Sequence, residues 1–171
     1  MPFFTLAFDL PVLLVTEVLA SGPATGDAVA PAEVYALSGD AKDQTVNLAA
    51  FAKERRAVFV FIDAARWDRR MFRFLKALEA KLGEGDSIAA IWLTQDVDQT
   101  KEYLPKISSY FNKTVLCLFE QGPNGPKDWG INPDASLTAV VANRGKVVKS
   151  FGYRVVDETD ASEVADSLKP R

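Results

Sequence analysis

The stretch Ala57-Val58-Phe59-Val60-Phe61-Ile62, followed at once by Asp63-Ala64-Ala65-Arg66-Trp67-Asp68-Arg69-Arg70, decides how the chain reads. Six apolar residues without a polar interruption describe a strand buried on both faces, as in a parallel or mixed sheet covered by helices. Downstream, Trp67, Met71, Phe74, Leu75, Leu78 and Leu82 recur every three or four positions, the stripe of a helix lying on that sheet. Gly83 and Gly85 end it.

The pattern extends in both directions. Ser87–Leu93 is a second buried strand, Lys101–Tyr110 a helix troubled by Pro105, and Val115–Phe119 a third strand. A Gly/Pro loop, Gln121–Lys127, leads to Leu137–Val141 and Lys146–Phe151, two strands around Asn143-Arg144-Gly145 that predict an antiparallel hairpin. Asp160–Leu168 closes the chain as a helix with Val164 and Leu168 inward. Upstream, Thr45–Leu48 predicts a short edge strand, and Asn47 caps a short helix over Leu48–Arg55. A βαβ unit joined to a ββα unit folds into an α/β three-layer sandwich, a central mixed sheet with flanking helices.

Composition narrows the chemistry further. The 171 residues suit one well-buried core, with 48% hydrophobic and 25% charged residues. A net charge of −3 excludes a general nucleic-acid binder, because Asp63 and Asp68 interrupt the one basic run, Arg66, Arg69, Arg70 and Arg73. There is no histidine and one cysteine, Cys117. This removes imidazole-based catalysis, the usual zinc sets and any disulfide within these residues. No cofactor or resident metal is expected. The densest acidic group, Asp96, Asp98 and Glu102, reads as loop solvation or helix capping, with an oxygen-only cation site as the alternative.

Phe3–Leu19 is largely apolar but interrupted by Asp9, Pro11 and Glu17, and no Lys or Arg precedes it. Residues 1–25 are therefore expected to be an N-terminal extension or a leader, with no transmembrane span. Ser21–Pro31 reads as a linker, and residues 26–171 as the domain. Cytoplasmic residence is expected if 1–25 are retained as an extension, and export if they are a leader.

Across roughly residues 26–169 the chain resembles the thioredoxin-like superfamily, in particular its redoxin branch of TlpA-like reductases and AhpC/TSA peroxiredoxins. Gly26-Asp27-Ala28-Val29-Ala30-Pro31 is similar to that branch's opening segment, and Leu37–Leu48 to the stretch that follows it. Ala57–Ile62 is similar to its strand entering the active site, Trp129-Gly130-Ile131 to its aromatic-glycine-valine, and Val140–Val147 to its hairpin. The resemblance implies a thioredoxin-like fold and places Arg66 and Arg69 where members carry a CxxC pair or a peroxidatic cysteine. Arginine neither forms a sulfur adduct nor accepts a proton near neutral pH. The family's cis-proline position falls at Ala135 or Ser136, with Pro133 two or three residues early.

The expected function is a redox-inactive thioredoxin-like domain, a binding or protein-interaction module. Its candidate surface is Arg66, Trp67, Arg69, Pro133 and Ser136. Two guanidinium groups beside a helix N-terminus suit a small anionic ligand, with Trp67 as a stacking face. The bland reading has both arginines solvated and paired with Asp63 and Asp68, and Trp67 in the core. Two alternatives stand beside the module: a residual redoxin using Cys117 or a partner's thiols, and a structural or assembly protein. Cys117, between Leu116 and Leu118, reads as a buried core residue, or as a redox thiol if it is exposed with a lowered pKa.

Overall fold

The computed structural model describes residues 18–169. Its elements in chain order are β1 (Val18–Leu19), β2 (Glu33–Ala36), β3 (Thr45–Asn47), α1 (Leu48–Ala52), β4 (Arg56–Asp63), α2 (Arg69–Lys81), β5 (Asp86–Leu93), α3 (Val97–Ile107), β6 (Thr114–Phe119), β7 (Leu137–Asn143), β8 (Lys146–Tyr153) and α4 (Asp160–Asp166). The all-apolar runs form the sheet centre. β4 and β6 flank β5 in parallel, and β7 lies antiparallel against the other side of β4. The full order is β1-β8-β7-β4-β5-β6-β2-β3, one mixed eight-stranded sheet.

Alternation along the central strands divides the core. Val58, Val60 and Ile62 face a cluster containing Phe74, Leu75, Leu78, Leu104 and Val164, so α2, α3 and α4 share one face. Phe59 and Phe61 face the other side, with Leu48 and Ala52 of α1 and with Trp129. Each fully buried large apolar side chain contributes roughly 1.5–3 kcal/mol, which explains why these runs specify the fold. Trp129 packs edge-on to Phe59 and tilted against Phe61, at 5.3 and 5.1 Å, sealing the second face beneath its loop.

The hairpin turns through Arg144 and Gly145, both at positive φ (48° and 82°), as the primed turns of two-residue hairpins require. α3 begins at Val97, earlier than its apolar pattern indicated, because the Asp96 side chain accepts from the Gln99 amide and caps it. Pro105 lies in its last turn. The helix gives way after Ile107 to a 3-10 turn, Ser108–Tyr110.

The linker reading of Ser21–Pro31 is corrected by long-range contacts. β1 pairs with β8, and buried Ser21 shares a 2.6 Å hydrogen bond with Thr138. Val29 is buried, and its amide donates to the Gly145 carbonyl. The segment is thus part of the packed body. Whether the first residues are a leader falls largely on 1–17, outside the described residues. No helix among the described residues is long and apolar enough to cross a membrane.

Candidate functional site

At the end of β4 the chain makes two capped turns in succession. The Asp63 carboxylate accepts from the Ala65 amide at 3.0 Å and opens a 3-10 turn over Ala64–Arg66. Trp67 leaves that turn, and Asp68 then caps α2, accepting from the amides of Arg70 and Met71 at 2.9 and 3.0 Å. Arg66 and Arg69 therefore belong to different turns. The Asp63 amide donates to the Ser136 carbonyl at 3.0 Å, tying this junction to the loop before β7.

The five candidate surface residues separate into distinct environments. Arg66 spans the junction: its Nε pairs with Asp63 Oδ2 at 3.2 Å and its Nη1 donates to the Asp134 carbonyl at 3.0 Å. Ser136 is buried, and its amide and hydroxyl both donate to the Tyr153 carbonyl, so it holds the loop rather than facing a ligand. Pro133 is exposed in the same loop, and no cis peptide occurs among the described residues. Arg69 points to solvent. Its pairing with Asp68 is not made, since the Asp68 carboxylate caps the helix.

Trp67 turns away from the arginines. Its Nε1 donates to the Tyr103 hydroxyl at 2.8 Å, and its ring meets Trp92 edge-to-face at 5.1 Å. These three aromatics line a cavity of about 440 Å³ at the C-terminal ends of β4 and β5, together with Asp63 and Asp96 and no Lys or Arg. A second, smaller depression of about 150 Å³ holds Arg66, Arg70 and Arg154 beside Asp68 and Ser136. The stacking face and the guanidinium groups thus sit in separate cavities. An anion suits only the arginine-lined one.

Arg70 and Arg154 join Arg66 in place of Arg69, and neither was singled out by the sequence. Arg70 shows in the sequence only as a member of the basic run, because the non-helical residues Trp67 and Asp68 break helical periodicity between it and Arg66. Arg154 follows β8 and is brought in only by sheet pairing. Tyr103 was legible only as a residue of an amphipathic helix.

Cys117 lies on the opposite face of the sheet from α2, in the cluster with Phe59, Phe61 and Trp129. It is 1% exposed, and burial pushes its thiol up from 9.0 to about 12. A thiolate nucleophile needs access and a lowered pKa, and this residue has neither.

No family model and no curated protein sequence matches the chain. Solved structures do. A protein assigned as the thiol:disulfide interchange protein DsbE of Chlorobium tepidum superimposes with a TM-score of 0.61 at 16% identity, covering 85% of this chain and 99% of its own. The peroxidoxin BcpB of Mycobacterium tuberculosis gives 0.60 at 16% identity, over 84% and 95%. Arabidopsis thaliana ScoI, solved with copper bound, gives 0.54 at 14% identity, over 85% and 98%. Identity at this level speaks for architecture and not for chemistry. The strand order, the α2–sheet junction and these superpositions together establish that the chain has the thioredoxin-like fold shared by redoxins.

Proposed function

We propose that the chain is a redox-inactive thioredoxin-like domain that acts as a binding module. Its recognition surface is the end of the sheet where β4 meets α2. One observation carries the reading: the only thiol is sealed in β6 behind the sheet, with its pKa raised to about 12. The junction where thioredoxin-like catalysts present sulfur here presents arginine, tryptophan and capping aspartates. Arg66, Arg70 and Arg154 favour an acidic group on the partner, since guanidinium groups bind carboxylates through paired, directional contacts.

The test is turnover. Incubated with a dithiol and insulin, or with peroxide and a thiol donor, the chain should leave the background rate unchanged. Turnover that disappears in a Cys117→Ala variant overturns the proposal and returns the residual-redoxin reading.

A further inference from the structure

The pole of the sheet opposite the β4–α2 junction carries a donor-rich basin. The β2–β3 loop, the start of β5 and the segment linking α3 to β6 enclose about 490 Å³ there. Three cations line it, Lys42, Arg55 and Lys113, against one carboxylate, Asp40. None of the three has a carboxylate partner among the described residues. Two are nonetheless held in place. The Arg55 guanidinium lies 4.9 Å over the Phe51 ring, and Lys113 Nζ donates to the Leu82 carbonyl at 3.2 Å.

Hydroxyl groups complete the lining. Ser38 Oγ accepts from the Leu116 amide, which leaves its own O–H to donate. Ser87 and Ser109 add two more hydroxyls. Thr114 is 5% exposed, and its Oγ1 has no hydrogen-bond partner. That oxygen is sealed within the wall and does not open into the basin. Cationic side chains outnumber carboxylates in the lining three to one. The complementary group is compact, doubly negative and rich in acceptor oxygens.

We infer that this basin is a binding site for the phosphoryl group of a small phosphorylated molecule, engaged by Arg55, Lys113 and the Ser38 hydroxyl. The site is separate from the β4–α2 surface, and neither reading depends on the other.

The full chain is titrated at neutral pH and constant ionic strength with inorganic phosphate and with glycerol 3-phosphate, and backbone amides are followed by NMR. Saturable shifts confined to Ser38–Lys42, Ser87 and Ser108–Val115 are expected from both probes. Arg55→Gln combined with Lys113→Gln should weaken the affinity by at least about tenfold. Thr114→Val preserves shape and removes the unpaired hydroxyl. It should leave phosphate binding unchanged, because that oxygen does not reach the basin, while the melting temperature holds or rises. Shifts that never saturate, shifts centred on Arg66 and Arg154, or an Arg55/Lys113 double variant that titrates as the wild type would each overturn the inference.

Discussion

Cys117 shows how a residue type that sounds reactive is disarmed by position. It sits in β6 between two residues of the opposite face, and its own face looks into an apolar cluster. Replacing it tests that environment. Cys117→Ala removes one atom from a close-packed site, whereas Cys117→Ser buries a hydroxyl and should cost about 1–3 kcal/mol if that hydroxyl goes unpaired. Urea unfolding should therefore rank the serine variant below the alanine variant, and the reverse order would show a polar, hydrated site. Arg66 and Arg69 differ in the same way despite their proximity in sequence. Arg66 is committed to Asp63 and Asp134, and Arg69 to no side chain among the described residues. Arg66→Ala should cost no more than about 1 kcal/mol, as for exposed ion pairs, and Arg69→Ala should be neutral. The sequence exposed the arginine positions but not this difference, because Asp134 approaches from 68 residues away.

At the scale of elements, one helix start was legible in the sequence, that of α1 at Asn47. Asn47 was expected as a cap and Asp68 as a partner of the arginines, yet both accept two helix amides. Asp68→Ala should cost about 1 kcal/mol in thermal or urea unfolding. At the start of α4 two carboxylates titrate in opposite senses. Hydrogen bonds from the Thr159 hydroxyl and amide lower the pKa of Asp157, while burial raises that of Asp160. The stability from Asp157 is present above the ordinary carboxylate range and lost as pH falls through its lowered value. That from Asp160 is present below the ordinary range and lost as pH rises through its raised value. Carboxyl NMR titration should place Asp157 below and Asp160 above the usual value of about 3.9. Two strands escaped the sequence for physical reasons. β2 is four residues long and earns its place by pairing with β6, and β1 contributes only two residues to β8. The docking of β1 is testable at Gly152, where an added Cβ would lie 2.5 Å from the Leu19 carbonyl oxygen. Gly152→Ala should loosen β1 and speed amide exchange around Leu19–Ser21 while leaving β4 and β5 protected.

For the whole molecule, the sheet's two faces were legible because uninterrupted apolar runs and a regular helix stripe have few other ways to be buried. The pockets were not, since each gathers side chains from three or more segments. Trp67 belonged to the stripe in sequence, yet its place beside Trp92 and Tyr103 depends on how α3 leans over β5. The molecule that results keeps a thioredoxin-like frame and seals its only thiol inside it. Labelling of the native chain with a thiol-specific aromatic disulfide at neutral pH tests that claim most directly, read against the same chain in denaturant. The account predicts that Cys117 is silent until the protein unfolds and then reacts stoichiometrically. Rapid stoichiometric reaction of the native chain would contradict it.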